Sequence, residues 1–409
     1  MDYARFVQGL VKQRDAWPSQ GVSLVLLVLD GLGDVRHPRF GYKTPLEVAQ
    51  TPNLNDLAPR SALGRVMPVD YAVTPGSGPA HLGLFGYDPR DIEIGRGVLE
   101  ALGLDMDVEG GDICVRANFC TMKGNVVVDR RAGRPEDKVS AEKVKLLQKA
   151  IPQIQDVKVT LKAGKSHRFA AVFHGPGLAE GVADTDPHED GKPLHEPKAT
   201  RPEAQKSARI IAEFQKRANE ALAAHAPLNA ILVRGVAEQP RLPGMEERYR
   251  LRSAAIATYP MYRGLAKLAG MKVLATGESV DDEFATYSKT RGQYDFHFIH
   301  VKGTDMAGED GNFDQKVTVI EEVDKALPGL LAQKPDVLAI TGDHSTPCCM
   351  KLHSWHPVPL LLHSDRCEAG GQLRFTEETC ARGTLGTFLS MYLMPMMLAN
   401  AELIDKFGA

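Results

Sequence analysis

Ser23–Asp34 reads SLVLLVLDGLGD, and Val337–Pro347 reads VLAITGDHSTP. In both, a short apolar run without polar alternation breaks into a turn that carries an aspartate. A third stretch, Asp295–Asp305 (DFHFIHVKGTD), follows the same plan. Uninterrupted Val/Leu/Ile runs are the pattern of strands buried on both faces of a parallel sheet. Helical periodicity occupies segments beside them, such as Met261–Leu268 and Asp314–Leu331. Strands alternating with helices predict an α/β fold, a mostly parallel sheet with helices on both faces. Ligands of such sheets bind beyond the carboxyl ends of the strands. There the chain delivers Asp30, Asp305 and Asp343, the last with His344 attached.

The chain has 409 residues, more than one compact core normally organises, so two domains are expected. The stretch from Asp107 to Gly235 has its own character. Strands are predicted at Ile113–Cys120, Asn125–Val128 and His167–Phe173, with helices over Ala141–Ala150 and Arg201–His225. Sheet-edge aspartates occur both before and after this block. The expected organisation is therefore a discontinuous domain of residues 1–106 and 236–409, interrupted by a smaller α/β domain of residues 107–235.

A net charge of −3 argues against a general nucleic-acid binder, which needs excess Lys and Arg. The apolar run Val22–Leu29 falls far short of the roughly 20 residues that span a bilayer. The amino-terminal MDYARFVQGLVKQRD carries acids and lacks a signal-peptide core. The Met-rich stretch Met391–Leu398 reads as a packed helix. Six cysteines without C-x-x-C spacing read as reduced thiols. These features predict a cytoplasmic protein with no membrane partner and a small-molecule ligand.

Thr74–Pro89 (TPGSGPAHLGLFGYDP) places Ser77 where a helix begins after the Pro75-Gly76 turn. A helix N-terminus, with its free N–H groups, favours an attached anion. Serine is also a common N-cap, and alone it would signify no more than that. Its company changes the reading. Asp30, Asp343 and His344 follow strands, Asp305 is followed four residues later by Glu309, and His353 lies in Leu352–Pro359. A mixed carboxylate–imidazole set suits Mn2+, Zn2+, Co2+ or Mg2+. Two such ions close together suit phosphoryl transfer, in which an attacking alkoxide and a leaving oxygen both need stabilisation. Ser77 is the expected nucleophile.

These motifs resemble the alkaline-phosphatase superfamily, and within it the archaeal-type cofactor-independent phosphoglycerate mutases. The resemblance rests on Leu29–Asp34, Thr51–Leu54, Gly76-Ser77, Ala80–Leu82, Phe85–Pro89, Asp129–Arg134, Asp186–Glu189, Leu232–Gly235, Thr341–Pro347, His353-Ser354 and the terminal Lys406–Ala409. It spans nearly the whole chain. It implies one metal held by Asp30, Ser77, Asp343 and His344, and another held by Asp305, Glu309 and His353. It implies transfer of the phosphoryl group of 3-phosphoglycerate to Ser77, reorientation of glycerate, and return to the other hydroxyl without bisphosphoglycerate. Holding glycerate away from water calls for guanidinium forks. Arg116, Arg130, Arg131, Arg134 and Arg234 are the candidates, with Asp186 and His188 for the glycerate hydroxyls and Lys302 for the phosphate.

The chain departs from the family pattern near the implied metals. Glu309 stands where the family has His, and a hard anionic oxygen favours Mn2+ or Mg2+ over Zn2+. Ser77-Gly78-Pro79-Ala80-His81 replaces Ser-Asp-Thr-Ala-His, and His356 stands in the place of an Asp. The expected activity is a mutase using two divalent ions, Mn2+ foremost. The alternatives are a phosphatase or phosphodiesterase on the same scaffold, and a metal-binding homologue without activity.

Overall fold

The structure, a computed structural model, describes residues 3–19 and 21–408. The chain divides into two compact units, one of Met1–Glu93, Leu242–Tyr259 and Ala266–Ala409, the other of Ile94–Arg241 and Pro260–Leu265. The inserted unit thus begins before residue 107 and runs past 235. The reason is the helix Arg96–Gly103, which packs on the strands Ile113–Lys123 and Ala230–Glu238. Gly97 makes this packing close: a Cβ there would lie 2.4 Å from the Cys114 carbonyl oxygen.

The first unit is built on an eight-stranded sheet. Its strands in chain order are β1 (Leu24–Leu29), β2 (Ala62–Met67), β3 (Ser253–Ala257), β4 (Lys272–Val273), β5 (Phe296–Val301), β6 (Val337–Thr341), β7 (Val358–Ser364) and β8 (Gly386–Leu389). Their order across the sheet is β4-β3-β5-β1-β6-β7-β2-β8. Among the described residues only β7 runs against its neighbours; the other pairings are parallel. Every residue of β1, β5 and β6 is buried, as strands covered on both faces must be. These are the three runs predicted from sequence, and they lie side by side. Leu29 pairs with Val301 and Val28 with Thr341, so the three carboxyl ends finish level. The predicted helix at Asp314–Leu331 is found at Phe313–Leu331, and the Met-rich segment forms the helix Leu393–Asn400.

The loops after β1 and β6 are tied by a buried charge pair. Lys316, fully buried in the helix Phe313–Leu331, donates to Asp34 Oδ2 (3.0 Å), to the Gly33 carbonyl (3.2 Å) and to the Thr346 carbonyl (2.9 Å). Asp34 Oδ2 also accepts from the Cys348 N–H at 3.1 Å. The Thr51–Leu54 motif is anchored likewise: Asp324 accepts from the N–H groups of Asn53 (3.2 Å) and Leu54 (2.7 Å) at the start of the helix Pro52–Leu57.

The second unit carries an antiparallel sheet. The predicted strands appear at Ile113–Lys123, Val126–Asp129 and Arg168–His174. Two further long strands, Val157–Ala163 and Ala230–Glu238, were not anticipated. Val157–Ala163 (VKVTLKA) alternates buried and more exposed residues, which is the two-residue period of a sheet with one wet face. The helices Asp137–Ala150 and Gln205–Leu222 contribute Val144, Leu147, Ile210, Ile211 and Phe214 to a core shared with Val115, Ala117 and Phe119. Arg201–Ala204, expected to be helical, instead enter through the 3-10 turn Pro202–Ala204. All six cysteines are free thiols, and among the described residues no helix is long and apolar enough to cross a membrane. Ala409, the end of the terminal motif, lies outside the described residues.

Removing the Lys316 ammonium leaves Asp34 buried without its counter-charge. Lys316→Ala is expected to lower stability by about 3–5 kcal/mol, read by denaturant unfolding. A loss below about 1 kcal/mol would show that the pair is not what ties the loops.

Candidate metal centre

The level ends of β1, β5 and β6 gather the sequence-predicted acids at one edge of the first unit. Asp30 is the first residue after β1, Asp343 and His344 follow β6, and Asp305 lies in the helix Gly303–Asp310 after β5. All four are buried. Together with His353 they form two groups with the spacing of a metal site: Asp30 with Asp343 and His344, and Asp305 with His344 and His353.

In the first group His344 Nε2 lies 3.3 Å from Asp30 Oδ1 and 3.1 Å from Asp343 Oδ2. Ser77 Oγ lies 3.4 Å from the same nitrogen. Gly76, not Ser77, is the N-cap of the helix Ser77–Leu84. The serine is the first helical residue, its hydroxyl turned to His344 rather than used as a cap. Asp30 Oδ1 and Asp343 Oδ2 are buried, and among the described residues no well-directed hydrogen bond reaches either, although His81 Nδ1 lies 3.2 Å from the latter. Two carboxylate oxygens, an imidazole nitrogen and a hydroxyl oxygen converging in this way fit a divalent cation, which all four can ligate.

In the second group His353 Nε2 is 3.7 Å from Asp305 Oδ1 and 3.9 Å from Glu309 Oε1. His353 Nδ1 lies 3.0 Å from the Pro75 carbonyl oxygen, which can only accept. That contact puts the proton on Nδ1 and leaves the Nε2 lone pair toward the acids, the form a metal ligand needs. The rings of His344 and His353 stack with centroids 3.6 Å apart. Glu309 is within reach of this group, but its side chain is 56% exposed, unlike the other ligand candidates. His356 contacts Ser354 Oγ through Nδ1 at 3.0 Å.

A lysine and two histidines surround the acids. Lys302 donates to Asp30 Oδ2 at 2.9 Å and also to Asp305 Oδ2, so its ammonium bridges the two groups. Burial disfavours that charge, yet the two carboxylates outweigh it and raise the lysine pKa. Asp30 is held well below the usual carboxylate range: burial opposes ionisation, but Lys302 and His300 overcome it. His300 Nε2 is 3.2 Å from Asp30 Oδ2, and His81 Nδ1 is 3.2 Å from Asp343 Oδ2. Burial lowers the His344 pKa, favouring the neutral imidazole that ligates metals. His81, His300 and Thr346 were not singled out from sequence as site residues. His81 and Thr346 belonged to quoted motifs, and His300 to a predicted strand, but only their packing shows whom they touch.

In the second unit the predicted residues separate. Arg130 grips Asp186 with two parallel bonds, Nε to Oδ1 at 2.6 Å and Nη2 to Oδ2 at 2.8 Å. Arg234 Nη1 is 3.3 Å from Asp186 Oδ2, and the His188 N–H donates to Oδ1 at 2.8 Å. Asp186 is therefore not an open receptor for a glycerate hydroxyl, as the sequence suggested. Its side chain is fully buried and its oxygens hold two guanidinium groups. Arg131 and Arg134 are exposed in the turn that Asp129 organises by accepting from the N–H groups of Arg131 and Gly133. His188 is exposed as well. Arg116 faces Arg234 across the sheet, and its Nε is 3.9 Å from Glu100 Oε2. On the other side of the strand Ile113–Lys123, the pairing with Arg168–His174 puts Asn118 opposite Arg168. Arg116, Asn118, Arg168 and Arg234 thus share the face opposite Val115, Ala117 and Phe119. Asn118 and Arg168 were missed because their charge and polarity carry no signal until the register is known.

A family model described as 2,3-bisphosphoglycerate-independent phosphoglycerate mutase matches residues 58–229. A Thermotoga neapolitana protein named a probable 2,3-bisphosphoglycerate-independent phosphoglycerate mutase is 50% identical over 409 residues, covering 100% of both chains. A protein of the same name from Aquifex aeolicus is 48% identical over 95% of this chain and 97% of its own. Among solved structures, a Pyrococcus horikoshii protein superposes with a TM-score of 0.82 at 29% identity, covering 95% of this chain and 100% of its own. The cofactor-independent phosphoglycerate mutase from Thermoplasma acidophilum gives 0.71 at 31% identity, with 93% and 100% covered. With full-length identity at this level, the chain belongs to the 2,3-bisphosphoglycerate-independent phosphoglycerate mutase family.

Proposed function

We propose that the protein interconverts 3-phosphoglycerate and 2-phosphoglycerate through a phosphoserine at Ser77, with two divalent ions and without bisphosphoglycerate. The observation that carries this reading is the convergence of Ser77 Oγ with His344 Nε2, which also faces the buried oxygens Asp30 Oδ1 and Asp343 Oδ2. Asp30, Ser77, Asp343 and His344 would hold one ion, and Asp305, Glu309 and His353 the other. Bound there, the ions would lower the pKa of the serine hydroxyl and offset the charge on the phosphoryl oxygens.

The chain's own residues account for the rest. Ser77 Oγ forms a bond to phosphorus as the bond from phosphorus to the glycerate oxygen breaks. The serine loses a proton and the released hydroxyl gains one; the second half-reaction reverses this at the neighbouring hydroxyl. The N–H groups at the start of the helix Ser77–Leu84 favour the added anion. Lys302 supplies a fixed ammonium beside the reacting centre. Arg116, Arg130 and Arg234 offer forks for the glycerate carboxylate, with Asp186 orienting the latter two.

Ser77→Ala is expected to abolish phosphoryl transfer while leaving the unfolding temperature near that of the parent. A coupled assay from 3-phosphoglycerate, run without bisphosphoglycerate, reads this directly. Substantial turnover by the variant would overturn the covalent route, and release of inorganic phosphate as the main product would mean a hydrolase.

EDTA is expected to inactivate the protein, and Mn2+ to restore it better than Zn2+, because Glu309 contributes a hard oxygen. Glu309→His should narrow that preference. Equal rescue of the parent by both ions would count against Glu309 as a ligand.

Arg130→Ala should lower mutase turnover and raise the ratio of phosphate release to isomerisation, since poorly held glycerate yields its place to water. A desolvated guanidinium–carboxylate contact is worth about 2–5 kcal/mol, enough for at least a tenfold shift in that ratio. Asp186→Asn should move the ratio in the same direction by loosening both arginines. An unchanged ratio in both variants would show that glycerate is held elsewhere.

A further inference from the structure

One hydroxyl touches both ligand groups. Thr346 is fully buried, two residues beyond His344. Its Oγ1 donates to Asp305 Oδ1 at 2.7 Å and lies 3.0 Å from His344 Nδ1. A hydroxyl has a single proton. A carboxylate oxygen at 2.7 Å can only accept, so that proton points to Asp305. What Thr346 offers His344 is then a lone pair, and Nδ1 must carry a hydrogen to meet it. A neutral imidazole with its proton on Nδ1 is bare at Nε2, the atom that faces Ser77 Oγ, Asp30 Oδ1 and Asp343 Oδ2.

The threonine has little freedom to do otherwise. Its N–H donates to the Gly33 carbonyl (3.0 Å), and its carbonyl accepts from Lys316 Nζ (2.9 Å). Gly31, at φ +63°, lets the hydroxyl approach the loop after β1: a Cβ there would sit 2.5 Å from Thr346 Oγ1 and 2.8 Å from Asp305 Oδ1. Gly308 does the same from the other side, where a Cβ would lie 2.4 Å from the Thr346 carbonyl oxygen.

We propose that Thr346 is a positioning residue that sets the His344 tautomer and orients Asp305 with one hydroxyl, so that the two divalent-ion sites are prepared together. The inference deepens the two-ion reading above and rests on it for the role of the ligands, though not for the identity of the substrate. Its chemistry is that of a hydrogen-bond partner to a metal-binding imidazole, which selects the ligating nitrogen.

The test uses the full-length protein with two substitutions. Thr346→Val keeps the shape and removes the hydroxyl; Thr346→Ser keeps the hydroxyl. The imidazole nitrogens of His344 are read by 15N NMR of the metal-free protein, assigned by difference against His344→Gln. Mn2+ affinity is read by titration calorimetry. The expected result is a protonated Nδ1 and a bare Nε2 in the parent and in Thr346→Ser. In Thr346→Val that preference is lost, and Mn2+ binds about tenfold to a hundredfold more weakly. A parent protein with its proton on Nε2 overturns the proposal, and this arm needs no variant to fold. An unchanged tautomer and affinity in Thr346→Val overturn it equally. Loss of the tautomer preference in a protein that proves to lack mutase turnover would support Thr346's role and refute only the substrate assignment.

Discussion

Three carboxylates are driven together by strand register, and the rest of the first unit answers that repulsion. Parallel pairing of β1 with β5 and β6 ends the strands level, so Asp30, Asp305 and Asp343 arrive at one buried edge. Like charges in such a place repel strongly because little solvent screens them. Lys302 bridges two of the acids, His300 faces Asp30, and His81 faces Asp343 from the same helix that begins with Ser77. The arrangement has the spacing of a metal site, and Ser77 is carried by the element that helps offset its charge.

Rigid loops hold this set. Leu32 and Gly33 form bridges to Ser345, and Ser345 forms another to Ser354, so the loops after β1 and β6 and the loop before β7 are laced together. Gly33 permits the closeness: a Cβ there would lie 1.9 Å from Ser345 Oγ. Lys316 and Asp34 close the same lacing from beneath with a buried ion pair. Groups that must hold their geometry to fractions of an ångström are thereby tied to the sheet by backbone contacts rather than left on free loops.

The second unit solves a different problem with antiparallel strands. One face of its sheet packs Val115, Ala117 and Phe119 into a core with the two helices. The other presents Arg116, Arg168 and Arg234 around Asn118. Buried Asp186 takes no part as an open receptor; it holds Arg130 and Arg234 in place. A guanidinium already fixed by a carboxylate loses less freedom when it meets a ligand anion, which suits the glycerate-holding role proposed for Arg130 and Arg234.

The sequence by itself determined the α/β class and the central strands. Fully apolar runs ending in Asp-Gly, Lys-Gly-Thr-Asp and Gly-Asp-His have few other homes, and local composition reports burial on both faces. It also singled out Ser77 and the acids that the structure brings together in two candidate metal groups, because these residues stand at strand or helix ends where short-range pattern is informative. The inserted block was visible, but its limits were not: the helix Arg96–Gly103 belongs to it by packing on strands that begin beyond it in the chain. Tertiary structure alone decided that His81 and His300 face the acids, that Asp186 serves two arginines, and that Arg131 and Arg134 are exposed where Arg130 is not. It alone joined Thr346 to Asp305 and His344. These are contacts between residues far apart in sequence or turned by a loop, and a hydrogen bond is decided by the last ångström of approach, which no residue pattern encodes.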